Sequence, residues 1–477
     1  MNPANISEIV KPNLSLLSEE QINNVHEFSI KILEETGIKV ESKSALQIFA
    51  KSNAVKVKND IVFIQREIIE HSIKFAPKTV DIYDKKGKVS FNLGNNNDTF
   101  FGIGVTNTNY QDIETNKIRP FTRKHQQNCT KLGDLLNNYD TVSTIGIPSD
   151  VSADKMDLYN TVDMYANTTK PLILLISEGE NINKVFDLLS NLHGDISNKP
   201  FIIPYFNPIT PLVFNEATSD KMIASINSNF PIIFSNYSMY GATSPITEGG
   251  SLALLNAELL AGLVFSQLIK EGSPIILGSL PASFNMTSMG SNYTTSSYLL
   301  NLACAEMMLF YSIPHCGTSG SGKAWGPDLI AAGEYWMNHI TSCIGKAGLV
   351  PFVGGSFDSM AFSPASAVFS DFIIGETKKL SKGFILNTET VDLEEIKSIG
   401  HGGNYLTSNQ TLQSLSNFGE TNKIWPSLNM HSWEELGYPE AKKYLIDHSK
   451  ELYNQAESLV KENIDVIKKG EEFINRL

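Results

Sequence analysis

The chain has 477 residues, of which 42% are hydrophobic and 19% charged. This composition is typical of a globular protein with an ample core, and the length suits one large barrel with additions or two to three domains. The net charge of −13 at pH 7 argues against a nucleic-acid binder, which needs a basic face. No run approaches the roughly 18 apolar residues that a membrane helix needs, so no membrane association is predicted.

The cysteines and arginines further restrict the kinds of binding site and the cellular location that the sequence predicts. The four cysteines have no spacing typical of a zinc site, and scattered free thiols suit a reducing cytoplasm. Residues 1–12 lack the charged-then-apolar pattern of a signal peptide, which also favours a cytoplasmic location. The chain has only four arginines, so an enzyme that clamps phosphate or carboxylate with arginine forks is not favoured.

Residues 1–95 predict a small N-terminal α+β cap. Ser18 and Gln21 have the spacing of a capping box at the start of an amphipathic helix, and Gly37 is a typical helix stop. Short helices and strands follow, and the segment ends in two predicted strands, 80–83 and 89–93.

Short apolar strands alternate with helices over residues 96–391. Eight such repeats predict an α/β fold, a (β/α)8 TIM barrel. An open doubly wound sheet is the alternative, but no strand is followed by a Gly-x-Gly-x-x-Gly fingerprint. The strands are predicted at 99–104, 141–147, 172–176, 201–206, 231–235, 274–278, 312–316 and 352–354, and the helices at 122–136, 156–166, 181–192, 216–226, 247–270, 294–310, 327–345 and 363–380.

Residues 392–477 predict a C-terminal helical extension. Residues 440–477 form a long, charged amphipathic stretch, and the charge is most simply explained as a solvated helix face. A barrel with a long helical tail often associates, so a homo-oligomer is one possibility, but the sequence leaves the oligomeric state open.

One Gly-rich stretch, residues 312–336, is dense with groups that can do chemistry. Gly317-x4-Gly322-Lys323 resembles a phosphate-binding loop, but Ala324 stands where Ser or Thr should bind magnesium. The favoured interpretation is a loop between strand and helix at the mouth of the barrel, where barrel enzymes keep their chemistry.

The predicted strand ends are rich in aromatics, amides and hydroxyls and poor in charge. They include residues 205–208, Tyr237, Tyr240, and the pair Phe357 and Asp358. Ring faces attract cations by roughly 0.5–2 kcal/mol each, so the set as a whole favours a quaternary ammonium ligand. Any single ring is better explained by packing over the barrel.

Several segments, in order and spacing, resemble the trimethylamine methyltransferase superfamily, the corrinoid-dependent methylamine and betaine methyltransferases. The resemblance covers nearly the whole chain. Its segments include Leu17-Ser-Glu-Glu-Gln-Ile, Ile32-Leu-Glu-Glu-Thr-Gly, Asp112-Ile-Glu-Thr-Asn-Lys-Ile-Arg-Pro, Asn167-Thr-Thr-Lys-Pro, Asn256-Ala-Glu-Leu-Leu-Ala-Gly and Gly402-Gly-Asn-Tyr-Leu.

The resemblance implies a (β/α)8 barrel that passes a methyl group from a methylated amine to the Co(I) of a corrinoid (cobalamin) carried by a separate protein, with no metal bound by the chain itself. One branch of the family uses pyrrolysine between the counterparts of Lys323 and Asp328. Here residues 324–327 are Ala-Trp-Gly-Pro. The chain therefore resembles the non-pyrrolysine branch, which acts on glycine betaine and related quaternary amines.

Two departures from the family pattern bear on the substrate. The usual Ser-Asp-Ser/Ala-Lys reads Ser-Gly-Ser-Gly-Lys, so that Gly320 or Gly322 replaces an acid, and Thr294-Thr295 stands where Pro-Glu is common. The amine itself is not identified by the sequence.

The resemblance and the strand-end pattern together yield a set of candidate substrate-binding residues. Tyr237, Tyr240, Trp325 and Phe357 are expected to form an ammonium cage beside Phe206, His315 or Lys323 to hold a substrate carboxylate, and Asn207 to donate from its amide. Glu334 is equally well explained as a structural acid and as a functional one. No residue is expected to act as a nucleophile, because Co(I) is itself one.

Two functions from other classes stay open at this point. One is a betaine-binding protein without catalysis. The other is a metal-dependent barrel lyase or hydrolase that uses His315 and Cys316, against which stands the lack of further ligands nearby in the sequence.

Overall fold

Eight parallel strands close into a barrel in the computed structural model, which describes residues 8–94, 98–317, 320, 322–415 and 424–477. Each strand pairs with the next, and the first pairs with the last. The (β/α)8 prediction is therefore confirmed. The strands are β1 (Phe100–Ile103), β2 (Thr141–Ser143), β3 (Leu172–Leu174), β4 (Ile202–Phe206), β5 (Ile232–Tyr240), β6 (Ile275–Asn285), β7 (His315–Gly317) and β8 (Leu349–Val353).

A helix follows every strand and covers the outside of the barrel. These helices are α1 (Arg123–Leu135), α2 (Ala153–Asn167), α3 (Asn181–His193), α4 (Glu216–Asn227), α5 (Glu248–Ile269), α6 (Thr295–Tyr311), α7 (Leu329–Ile344) and α8 (Pro364–Lys382). Several start at residues whose side chains accept a hydrogen bond from the first turn, such as Asp328 before α7 and Ser363 before α8, as N-cap residues do.

Alternation along the strands separates the barrel interior from the layer between strands and helices. Ile173, Ile203, Ile233 and Ile276, from four successive strands, form one buried cluster. Their chain neighbours, such as Ile202 and Phe234, pack instead with the helices. This is the period of two that a strand imposes, and it decides which side chains can reach the barrel mouth.

The N-terminal segment closes the bottom of the barrel. Its hairpin, Val80–Tyr83 and Val89–Leu93, contributes Val80, Ile82, Phe91 and Leu93 to the interior cluster. Phe91 stacks on Phe100, the first residue of β1, at 4.2 Å between ring centroids. The other elements before the barrel are strands Ile9–Val10, Ile38–Val40, Val55–Lys58 and Ile61–Ile64, helices Glu19–Lys31, Lys43–Phe49 and Arg66–Phe75, and the π-helical turn Ile32–Thr36.

The C-terminal helices pack on the first half of the barrel. Arg123 at the start of α1 binds Asp163 of α2, which is fully buried, and Glu471 of the last helix, at 2.8 and 2.7 Å. The segment contains helices Thr388–Val391, Leu393–Ile399, Asn409–Ser414, Met430–Glu435, Ala441–Val460 and Ile464–Ile474, with a 3-10 turn at Lys461–Asn463. Short strands elsewhere are Asn109–Gln111, Ile118–Pro120, Val213–Phe214, Gly290–Asn292, Gly355–Ser356, Ala361–Phe362 and Phe384–Ile385.

No apolar run of this length was predicted from the sequence, but helix α5 is long and apolar enough to cross a membrane, the one such helix in the described part of the chain, and 89% of its apolar window is buried inside the protein. It contains Glu258, whose carboxylate accepts hydrogen bonds from Leu212 N, Thr210 Oγ1 and Asn236 Nδ2 at 2.7, 2.9 and 2.9 Å. Burial raises the pKa of Glu258 to about 7. The helix is thus built into the core, where a buried acid ties it to β5.

Two differences from the predicted strands matter for the site. The strands β5 and β6 pair over nine successive residues, up to Tyr240 and Ser283, so they rise well above the barrel rim. Helix α6 continues to Tyr311, and Ser312 terminates it in a left-handed conformation. Strand β7 therefore begins only at His315, three residues later than predicted.

Candidate functional site

A cavity of about 500 Å³ opens at the carboxyl ends of the strands. This is the end of a TIM barrel at which active sites lie. Tyr205, Tyr237, Tyr293 and Phe352 give it aromatic walls. The rest of its lining is Val105, Thr106, Ile147, Leu175, Ile176, Ser177, Phe206, Asn207, Thr218, Lys221, Leu280, Asp358 and Ser359.

Oδ1 of Asp358 in the cavity wall is buried and has no hydrogen-bond partner among the described residues. The Tyr205 hydroxyl is different, because the side chains of Ser235 and Asn207 lie within hydrogen-bonding reach of it. Buried polar groups are nearly always satisfied, and leaving one unpaired costs free energy. The Asp358 oxygen therefore indicates a surface built to meet a polar or charged ligand.

Asp358 lies in an unusual backbone segment. Phe357, Asp358 and Ser359 all have positive φ angles, 54°, 53° and 68°, a conformation that costs about 1–3 kcal/mol for residues other than glycine and that clusters at functional sites. Burial raises the pKa of Asp358 to about 6, although the positive charge of Lys323 acts in the opposite direction. The carboxyl group is thus held in place, poorly solvated and unpaired.

The loop after β7 is tied to this segment. Phe357 N donates to Ala324 O and Asp358 N to Gly322 O, at 2.9 and 3.0 Å. The Gln111 amide donates to Trp325 O at 2.7 Å. The first two bonds join the loops that follow β7 and β8 into one wall, and the third ties the loop after β7 to the short strand Asn109–Gln111. The Gly-rich stretch and Asp358 therefore form a single structural unit.

Glu334 supports the same loop from helix α7. Its Oε2 accepts from Ala324 N at 3.3 Å, and its Oε1 is buried without a partner among residues that the structure describes. Burial raises the pKa of Glu334.

A methyl group on Gly322 would lie 2.1 Å from Oε2 of Glu334. Glycine at position 322 therefore makes room for the Glu334 carboxylate. Position 320 requires glycine for another reason, because its φ is +64° and an added Cβ would lie 2.6 Å from the Val353 side chain. Thr318, Ser319 and Ser321 lie outside the described residues.

The candidate residues from the sequence divide into three groups by position. Phe206, Asn207 and Tyr237 line the cavity. Lys323, Trp325 and Phe357 belong to the two joined loops beside it, and Glu334 supports them from helix α7. Trp325 is 66% exposed and Phe357 37% exposed, so both face the mouth rather than the interior.

Tyr240 and His315 lie apart from the cavity lining. Tyr240 is three residues after Tyr237 on β5 and so points to the opposite face, where its hydroxyl bonds Thr294 Oγ1 at 2.6 Å and its ring packs with the helices. His315 is the first residue of β7, at the bottom of the barrel. Its Nδ1 bonds Ala347 O at 2.9 Å, and burial lowers its pKa to about 4.

The cavity also contains residues that were not selected from the sequence, chiefly Tyr205, Tyr293, Phe352 and Asp358. Tyr205 and Asp358 stand in the predicted strand-end segments, so position along the chain pointed to them. Their orientation did not follow from it, because it depends on strand parity and on the left-handed turn at residues 357–359.

No group of three His, Cys, Asp or Glu side chains able to hold a metal ion occurs within the part of the chain that the structure describes. His315 and Cys316 are neighbours on β7 and point to opposite faces, since Cys316 belongs to the interior cluster. The metal-dependent alternative thus gains no support from the described geometry.

Comparison with known proteins identifies the family. The family model described as Trimethylamine methyltransferase (MTTB) matches residues 3–476. The chain belongs to the trimethylamine methyltransferase family. This confirms the resemblance found in the sequence.

Curated members of the trimethylamine methyltransferase family align over most of their length. A trimethylamine methyltransferase of Desulfitobacterium hafniense (strain DSM 10664 / DCB-2) is 25% identical over 465 residues, which cover 94% of this chain and 93% of the relative. A glycine betaine methyltransferase of Desulfitobacterium hafniense (strain Y51) is 27% identical over 407 residues, 84% of each chain.

The fold also has a counterpart among solved structures. The monomethylamine methyltransferase of Methanosarcina barkeri superposes with a TM-score of 0.54 over 92% of this chain and 88% of the other, at 10% sequence identity. At 10% sequence identity this similarity concerns the fold alone, and it agrees with the closed barrel of the present chain.

Proposed function

We propose that the protein transfers a methyl group from a quaternary amine, glycine betaine or a related betaine, to the Co(I) of a corrinoid carried by a separate protein. The observation that carries this proposal is the aromatic-walled cavity of about 500 Å³ at the carboxyl ends of the strands. The names of the curated relatives support the reaction class, since they are methyltransferases for trimethylamine and glycine betaine.

The cavity suits a trimethylammonium group. Tyr237 rises from the extended part of β5 into the cavity, and Tyr205 and Phe352 meet edge to face at 4.9 Å in its wall. Aromatic faces attract quaternary ammonium ions by about 0.5–2 kcal/mol per ring. A volume of about 500 Å³ lies within the range typical of small-molecule sites, about 300–1,000 Å³.

The protein's task in this reaction is to orient the amine. The corrinoid supplies a Co(I) nucleophile, so the chain itself needs none. A quaternary amine departs as a neutral tertiary amine, so no proton donor is needed for the leaving group. The aromatic walls and Asn207 hold the amine so that one N–CH3 bond faces the opening, and proximity of this kind accounts for much of an enzyme's rate enhancement.

Exposed apolar side chains around the opening support a partner protein at this face. We call these residues the apolar rim; they follow β4, β5, β6, β7 and β8 and are Ile209, Ile246, Met286, Met289, Trp325 and Met360, with exposures of 54% to 71%. Such a ring of apolar side chains is typical of an interaction site. It fits a corrinoid-bearing protein that covers the mouth and brings its cofactor over the cavity.

Two further expectations belong to this proposal. Of the two residues expected to hold a substrate carboxylate, we favour Lys323, because it belongs to the loop at the mouth, whereas His315 begins β7 at the other end of the barrel. The four cysteines are free and buried, which supports the expected cytoplasmic location. A homo-oligomer stays a prediction.

The reaction is tested by incubating the purified protein with Co(I) cobalamin and a panel of quaternary amines, and by following the loss of the Co(I) absorbance. At least one amine is expected to be demethylated in proportion to enzyme concentration. Binding of an amine without any methylation of Co(I) would favour the non-catalytic betaine-binding alternative.

Variants separate the cavity from its surroundings in the same assay. Tyr237→Leu removes a ring from the cavity, and Tyr240→Leu removes a ring from the other face of the same strand as a matched control. Trp325→Ala and Phe357→Ala probe the mouth. The proposal requires that Tyr237→Leu raise the amine concentration for half-maximal rate by more than Tyr240→Leu does.

A further inference from the structure

Asp358 is the one acidic residue among the described residues that line the cavity. Its Oδ1 is buried and has no hydrogen-bond partner among them. A buried charged oxygen without a partner is costly. A ligand that brings a positive charge to this oxygen would remove that cost.

The backbone fixes where this carboxylate stands. Three consecutive left-handed residues, 357–359, carry it, its own N–H is bonded to Gly322 O at 3.0 Å, and the Asn107 amide holds Ser359 O at 2.6 Å. Strained backbone of this kind persists where the surroundings hold it in place, and it clusters at ligand sites. The carboxylate is therefore presented to the cavity in a set position.

The charged and titratable groups around Asp358 are few. Lys323 on the loop after β7 acts on it through its charge, and Asp358 in turn acts on Glu334 of α7 and on Tyr237 of β5. Lys221 lines the cavity as well, but its ammonium donates to Ile176 O and Ser177 O at 2.6 and 3.2 Å. Asp358 thus faces the aromatic walls as the cavity's negative charge.

We propose that Asp358 is the counter-charge that recognises the ammonium group of the substrate, so that the cavity selects a quaternary cation by its charge and not only by its shape. This inference rests on the proposed function for the identity of the ligand, but it concerns binding and needs no corrinoid for its test. The aromatic walls supply the surface for the methyl groups, and the carboxylate supplies the attraction for the charge.

The test compares two probes of nearly equal shape in calorimetric titrations of the full chain. Choline has a quaternary nitrogen where 3,3-dimethyl-1-butanol has a carbon atom. At pH 8 choline is expected to bind at least about tenfold more tightly. Since burial raises the pKa of Asp358 to about 6, its ionised fraction should rise about tenfold between pH 5 and pH 8, and choline affinity is expected to rise with it.

Variants assign the effect to this residue. Asp358→Asn keeps the size of the side chain; it should lower choline affinity about tenfold at pH 8 and abolish the rise between pH 5 and 8. Glu334→Gln should keep that rise, because Glu334 does not line the cavity. Asp187→Asn changes the net charge by the same amount on the exposed face of α3 and should change neither quantity. Circular dichroism and thermal melting verify the folding of each variant.

The inference is overturned if choline binds no more tightly than the neutral alcohol, or not at all, in the wild-type protein. It is also overturned if the pH dependence disappears in Glu334→Gln and persists in Asp358→Asn. The wild-type measurements can overturn the inference without any variant, so a misfolded variant does not prevent a result. Charge-dependent binding without Co(I) methylation refutes the proposed function alone, whereas methylation with unchanged affinity in Asp358→Asn refutes this inference alone.

Discussion

Replacing Gly322 by alanine tests whether the wall beside the cavity depends on the contact between this glycine and Glu334. The backbone at Gly322 is one that any residue adopts, since its φ is not in the left-handed region. The only obstacle to alanine is steric: the new methyl carbon would lie 2.1 Å from Glu334 Oε2, where ordinary contact begins at 3.4 Å. The carboxylate must therefore move away.

The size of the effect follows from what that movement breaks. The bond from Ala324 N to Oε2 is already 3.3 Å long, so it is lost when the carboxylate retreats. Losing a hydrogen bond to a charged group costs about 1.5–3 kcal/mol. Replacing glycine by alanine gains about 0.4–1 kcal/mol by restricting the unfolded chain. We expect a net loss of about 1–2 kcal/mol in the free energy of unfolding.

The measurement is denaturant unfolding at 25 °C, with Gly333→Ala as the matched control. Gly333 is a helical residue one position before Glu334, and nothing lies within 4 Å of its added Cβ. That variant should stabilise the protein by about 0.5–1 kcal/mol.

A double-mutant cycle with Glu334→Ala isolates the contact. With the carboxylate absent, Gly322→Ala should behave like Gly333→Ala. If the two substitutions are additive, or if Gly322→Ala alone stabilises the protein, the steric argument is refuted.

Three further predictions concern the core, the C-terminal helices and the ligand. Burial raises the pKa of Glu258 to about 7, so the folded state holds this proton more tightly than the unfolded state. The free energy of unfolding should therefore fall by about 3 kcal/mol as pH rises from about 4.5 to 7. Glu258→Gln should remove this pH dependence, which is measured by urea unfolding at both pH values. Arg123→Met leaves the fully buried Asp163 without its ion pair and should cost about 3 kcal/mol in the same measurement, with part recovered in the double variant that also carries Asp163→Asn. Tyr237→Leu should weaken choline binding by about 0.5–2 kcal/mol in calorimetry, and an equal loss for the neutral alcohol would attribute the effect to shape instead.

Individual strands show which parts of the barrel could be predicted from the sequence and which could not. The eight strands were found because each is a short apolar run between helical patterns, and such runs are local. The ends of β5 and β6 were missed because residues 236–240 and 279–285 contain polar side chains, and they stay in the strand only since each strand pairs with the other. The start of β7 was placed three residues early because the apolar residues before it belong to helix α6.

The opposite placements of Tyr237 and Tyr240 show what a list of strand-end residues leaves out. Both tyrosines follow the apolar part of β5, and composition treats them alike. Strand geometry sends residues three apart to opposite faces, so one ring enters the cavity and the other packs with the helices.

The sequence by itself determined the barrel, the family and the aromatic character of the strand ends, because these depend on local periodicity, on order along the chain and on composition. Only the tertiary structure decided which of those side chains share a cavity. It brought Gly322 against Glu334 and joined Gly322 to Asp358, 36 positions further along the chain, through a backbone hydrogen bond. Such contacts depend on strand register and on the meeting of two loops, and no local pattern encodes either.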